Sequence, residues 1–205
     1  LRVIQRLAST RVGRVSMKKH STLKEVEHVI TGKRHPAPIK LEACSALRIY
    51  ASTREGARAL IESKEQSAKA LLTLASSENT PPKLRESCLY VLAQYLEGGP
   101  ADMILAYTPK LMSGLIGCLN VEELEFDEEF QTEPDEEDLI HHEGLVRVAH
   151  ASLSVLKRAC LSEMARQSAL QTKRATSLLV PYLQSESVDV RRDVSSVRFC
   201  ARYAA

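Results

Sequence analysis

The chain has 205 residues, 44% apolar and 26% charged, which is the composition of a soluble globular protein, and no apolar run approaches the roughly 18 residues of a membrane span. Aromatics are 4% with no Trp, which suits close-packed helices better than a sheet, and no stretch reads as a secretory signal. The net charge of +2 hides a division: eleven of the 26 acidic residues lie between Val121 and Ile140, leaving 28 basic against 15 acidic residues elsewhere.

A block of small or apolar pairs recurs at helical spacing. It reads Val3-Ile4 with Leu7-Ala8, Ala46-Leu47 with Tyr50-Ala51, Val91-Leu92 with Tyr95-Leu96, Val155-Leu156 with Ala159-Cys160, and Ser196-Val197 with Cys200-Ala201. The first residues are 43, 45, 64 and 41 positions apart. Self-similarity at that period signals a helical solenoid, whose units bury their apolar faces on one another and leave one long continuous surface. Chain start and end both fall inside helical patterns, so a segment of a longer array is expected.

In chain order, the weakest copy comes first. An amphipathic helix is predicted over 38–52, broken by Thr53-Arg54-Glu55-Gly56, then a short helix over 57–62 and a longer one over 65–75. The polar stretch ending in Pro81-Pro82 closes the unit, because two prolines cannot sit inside a helix. A long helix over 82–96 ends at Gly98-Gly99-Pro100, a short one covers 101–106, and Thr108 caps a helix over 110–119. The last unit reads as helices over 162–170, 173–183 with a kink at Pro181, and 187–203.

The offset of 64 locates about twenty extra residues at 121–140, an acidic insert without Lys or Arg. Like charges repel and bury little, so a mobile loop is expected there. On one reading the insert is simply a solvated loop that keeps the protein soluble; on the other, Leu124, Phe126 and Phe130 stand among its acids as apolar anchors of a short recognition segment.

Catalytic and metal chemistry find no support. The five cysteines, Cys44, Cys88, Cys118, Cys160 and Cys200, form no C-x-x-C pair and read as buried, reduced residues of a cytosolic protein. His141-His142 lacks any metal-ligand spacing, and paired acids occur only in the insert, which cannot hold catalytic geometry. No enzyme activity, metal or cofactor is expected.

One short, one middle and one long helix per forty-odd residues resembles the armadillo repeat, with Asp189-Val190-Arg191 and Thr108-Pro109-Lys110-Leu111 placed where that family has similar residues; HEAT repeats are the near alternative. The resemblance implies an all-α, right-handed α-solenoid of about four to five three-helix repeats, forming a single domain over 1–205. It also implies that the long helices line a concave groove. The family's Gly-Gly-Ile-Pro is absent, and there is neither a Trp nor an Asn ladder on the long helices, which excludes the nuclear-import mode of peptide binding. A shorter resemblance, Thr10-Arg11-Val12-Gly13-Arg14, Lys19-His20 and Glu55-Gly56-Ala57, is to the armadillo subunit of the ciliary radial spoke and implies an axonemal assembly.

Arg48, Arg85, Arg147, Lys157, Arg158, Arg191, Arg192 and Arg198 are long-helix residues off the apolar stripe. If they line the groove, it is positive and suits an acidic or extended peptide of a protein partner; if not, they are solvated helix faces. Nucleic-acid or ribonucleoprotein binding is the alternative use of a basic body, opposed by the scarcity of aromatics for base stacking.

Overall fold

Small and aliphatic residues at three- and four-residue spacing build every long helix of this protein, because only that spacing keeps one stripe dry. The computed structural model describes residues 1–62, 66–98, 104, 108, 110–121, 136–172, 175–185 and 188–202. Among them the chain forms α1 (Arg2–Ser9), α2 (Arg11–Lys19), α3 (Thr22–Thr31), α4 (Ala37–Ala51), α5 (Arg54–Glu62), α6 (Gln66–Ser76) and α7 (Pro82–Gly98). There follow α8 (Leu111–Gly117), α9 (Glu136–Ala159), α10 (Glu163–Gln171), α11 (Ala175–Leu179), a 3-10 helix (Pro181–Gln184) and α12 (Val188–Arg202). No strand occurs among the described residues. The order is α1, then short–middle–long units α2–α4 and α5–α7, then the middle and long helices α8 and α9, then α10–α12: an α-solenoid of armadillo type.

The recurring block is the core. Ala46 and Leu47, Val91 and Leu92, and Val155 and Leu156 are all at most 1% exposed. Consecutive long helices pack side by side, α1 on α4, α4 on α7, α7 on α9 and α9 on α12, so each copy of the block covers the next. The opening copy is half-used: Ala8 is buried, Val3 exposed. Cys44, Cys88, Cys118 and Cys160 are buried free thiols, as small-residue packing requires. The Cys44 and Cys88 sulfurs, on adjacent long helices, lie 3.8 Å apart, and that mutual contact and burial push the Cys88 thiol well up.

Two turns from long to short helix share one construction. Thr10 Oγ1 accepts from Gly13 N at 3.1 Å, and Thr53 Oγ1 accepts from Gly56 N at 3.2 Å, each an N-cap bond. The short helix then passes so close to the preceding long helix that a Cβ on Gly13 would lie 2.0 Å from the Leu7 carbonyl oxygen, and one on Gly56 1.9 Å from that of Tyr50. The third such turn, capped by Ser162 Oγ accepting from Ala165 N at 3.3 Å, spans more residues between its helices and admits Ala165 with its Cβ buried.

Side chains from later helices satisfy carbonyls at or near the ends of the middle helices, where a helix leaves such groups short of partners. Arg85 Nε donates to Ala75 O at 2.8 Å, Ser152 Oγ to Leu115 O at 2.7 Å, and Tyr182 Oη to Leu119 O at 2.8 Å. In the core, Ser67 Oγ and Tyr95 Oη bond at 2.6 Å, with burial pushing the Tyr95 phenol up. Tyr95→Phe strands the Ser67 hydroxyl in that dry site, so urea unfolding should show a loss of about 1–3 kcal/mol, largely recovered in Tyr95→Phe/Ser67→Ala.

Three expectations are corrected here. Pro181 does not kink a continuous helix. Its ring clashes with the carbonyl four residues back, so α11 stops at Leu179 and the chain continues as a 3-10 turn. An apolar cavity of about 370 Å³, walled by Leu156, Ala169, Leu179 and Val194, lies beside this shortened helix. Thr108 does not cap α8, whose N-cap is Lys110 and carries no side-chain cap bond. The last residues of the acidic insert are helical: Glu136, Glu137 and Asp138 form the first turn of α9, where carboxylates face the positive end of the helix dipole.

Candidate functional site

The face available for a partner is the row of long helices. Its outward residues follow from the buried stripe: with Ala46, Leu47 and Tyr50 inward on α4, Arg48 points out, and with Leu89, Leu92 and Tyr95 inward on α7, Glu86, Tyr90 and Glu97 face the open side. Tyr90 is 42% exposed and lies beside Glu86, one turn back on the same helix. Partial burial and the Glu86 carboxylate raise its phenol's pKa, while Arg48 of the preceding long helix pulls it down.

Four of the eight cations expected to make this face positive meet carboxylates. Arg158 of α9 reaches Glu97 of α7 at 2.6 Å, and Arg147 of α9 lies 3.9 Å from Glu86 of α7 and 3.5 Å from Glu143 one turn back. Lys157 reaches Asp193 of α12 at 2.6 Å, and Arg192 pairs with Asp189 on its own helix at 2.8 Å. Gln5 of α1 continues the ladder by donating to Glu42 of α4 at 2.7 Å. Partly exposed pairs of this kind contribute about 0–1 kcal/mol each. Their larger effect is to make the face charge-balanced and to hold neighbouring long helices in one register.

Two of the eight cations are not on the face. Arg85 is 7% exposed, turned inward onto the α6 C-terminus and the Cys118 thiol. Arg191 is half-buried and donates to the Ser185 carbonyl ahead of its own helix, a similar clamp one unit pair later. Both are drawn in because a buried guanidinium finds compensation in the unpaired carbonyls at a helix C-terminus. The Arg198 side chain lies outside the described residues, as do Leu124, Phe126 and Phe130 of the insert. Thus Arg48, Arg147, Lys157, Arg158 and Arg192 are brought to one face, and Tyr90, with Glu86 and Glu97, was not anticipated there. Tyr90 carried a sequence signal: it is an aromatic one position off the apolar stripe of α7. No group of three or more His, Cys, Asp or Glu with metal-holding geometry occurs among the described residues, and no described helix is long and apolar enough to cross a membrane.

No family model and no curated protein matches the chain. Solved structures do. An engineered protein solved by a structural genomics consortium superposes with a TM-score of 0.53 at 16% identity, covering 100% of this chain and 89% of its own. A designed armadillo repeat protein in complex with the peptide (KR)4 gives 0.51 at 14% identity, covering 98% of this chain and 90% of its own. A second engineered protein gives 0.52 at 14%, covering 98% and 53%. At these identities the likeness establishes the armadillo-type fold.

Proposed function

We propose that the protein is a non-enzymatic interaction scaffold that holds an extended segment of a partner protein along its row of long helices and docks in a larger assembly. The observation that carries this is the unbroken side-by-side series α1, α4, α7, α9 and α12, tied by Gln5–Glu42, Arg158–Glu97 and Lys157–Asp193, which presents a continuous polar face. That the designed armadillo protein of similar fold was solved with a bound peptide supports the same use here. Charge pairing sharpens the partner's chemistry. A segment need not be strongly acidic; it must compete for hydrogen bonds with residues already paired, and Arg48 beside Tyr90 offers the readiest anchor for a carboxylate.

The nucleic-acid alternative is weaker on this face, since Arg147, Lys157, Arg158 and Arg192 each face an acid, and phosphate contacts need uncompensated cations. The assembly that the sequence resemblance names is the radial spoke of the ciliary axoneme. Turn packing accounts for Thr10, Gly13 and Gly56, and core burial for Ala57, so that reading rests on Arg11, Val12, Arg14, Lys19, His20 and Glu55.

A photo-crosslinking amino acid at positions 48, 90 and 147, compared with control positions 24 and 58 on other helices, tests the scaffold reading in native extract. Partner peptides should concentrate at the long-helix positions. Equal yields at the controls would overturn it, and recovery of axonemal chains at the long-helix positions decides the assembly.

A further inference from the structure

Away from the long-helix row, a cleft of about 530 Å³ opens between the middle helices α6 and α8. Gly114 makes the approach of these helices close enough to form it: a Cβ there would lie 2.9 Å from a Leu72 methyl. At its edge sits Thr108, only 2% exposed. Both backbone groups of Thr108 are used, its N–H by Ile104 O at 2.8 Å and its C=O by Leu111 N at 2.9 Å, yet its hydroxyl has no hydrogen-bond partner. A buried hydroxyl left unpaired is costly, and such groups mark places where a ligand completes the bonding.

The remaining walls say what kind of ligand. Lys69 and Lys110, both exposed, line the cleft, and neither pairs with a carboxylate among the described residues. Thr73, Ser76 and Ser113 hydroxyls, also on the cleft, already donate to backbone carbonyls at Lys69 O, Leu72 O and Lys110 O, at 2.8, 2.8 and 3.1 Å. The uncommitted donors are therefore two cations and one buried hydroxyl. One carboxylate would leave a positive charge uncompensated. A phosphate monoester, carrying about −1.5 to −2 near neutral pH with three acceptor oxygens, matches both the charge and the donor number.

We propose that this cleft binds a phosphorylated side chain of a partner protein, with Lys69 and Lys110 balancing its charge and Thr108 donating to one of its oxygens. The scaffold reading above supplies only the source of the phosphate; the cleft shares no residue with the long-helix face, so the two can fail separately. The test is a titration of the ¹⁵N-labelled full chain with a phosphoserine peptide flanked by Gly and Ser, the same peptide unphosphorylated, and inorganic phosphate. The phosphopeptide should shift the Lys69, Thr108 and Lys110 amides saturably, and the unphosphorylated peptide should not. Lys69→Ala/Lys110→Ala should weaken binding by about tenfold or more, as loss of charge-assisted bonds implies. Thr108→Val should weaken binding several-fold while leaving the free protein as stable or more so, because it removes a buried group that had no partner. Undiminished affinity in the lysine variant, a destabilised Thr108→Val protein, or binding of inorganic phosphate as tight as that of the phosphopeptide would each overturn the proposal.

Discussion

Gly56→Ala should be the most damaging single-methyl change in the described part of the chain. The added Cβ would sit 1.9 Å from the Tyr50 carbonyl oxygen, and the atom it meets is backbone of a helix whose Tyr50 and Ala51 are buried. No rotamer change relieves that contact. Either α5 lifts from the end of α4, breaking the Thr53 cap bond, or the last turn of α4 unwinds. Overpacking of a well-packed site costs about 1–3 kcal/mol where side chains can adjust, and a backbone clash belongs at or above the upper end. For a chain of this size that is a fall in Tm of roughly 6 °C or more. Gly56→Ala should be far worse than Gly117→Ala, a useful control because a Cβ at Gly117 meets nothing within 4 Å. Equal melting temperatures for the two variants would mean that the turn is looser than described.

Arg85→Ala should destabilise the array rather than alter partner binding directly. The guanidinium is buried, donates to Ala75 O at 2.8 Å, and faces the Cys118 thiol, whose pKa burial raises and Arg85 lowers. Truncation leaves the Ala75 carbonyl with the weak Cys118 Sγ contact at 3.4 Å and opens a void where the side-chain stem lay. A lost hydrogen bond to a charged group plus that void amounts to about 2–4 kcal/mol. Urea unfolding measures it. Arg48→Ala, on the exposed face, should change stability by less than about 0.5 kcal/mol. If Arg85→Ala is as stable as Arg48→Ala, the inward placement of Arg85 is wrong and its role on the binding face returns.

These two residues also show what the sequence discloses. The Ala46-Leu47-Tyr50-Ala51 block and its copies were legible because helical burial repeats every three or four residues, and a solenoid repeats that again from unit to unit. Arg85 was misjudged by its charge, although its position was informative: Arg85, Leu89 and Leu92 fall on one stripe of α7, and all three are buried. A cation on an apolar stripe signals a buried clamp when a preceding helix ends nearby. The pairs Arg158–Glu97 and Lys157–Asp193 had no comparable signal. Their formation depends on how far each long helix is shifted along its neighbour, a quantity fixed by packing of all the intervening side chains. The unpaired hydroxyl of Thr108 was illegible for the same reason, since a Thr ahead of a helix reads as a cap.

The tight turns at Gly13 and Gly56 have a consequence for where such a chain can grow. One residue separates α1 from α2 and two separate α4 from α5, with backbone already in contact across the joint, so any added residue there would push whole units apart. The connection from middle to long helix carries no such restraint: α8 ends at Gly117, beside open space, and α9 does not begin until Glu136. Eight of the eleven acidic residues of the run fall in this joint, between Val121 and Glu136. Added length at this seam separates no helices that are in backbone contact, and a new sequence grafted between Val121 and Glu136 should be tolerated where the same graft after Ser52 is not.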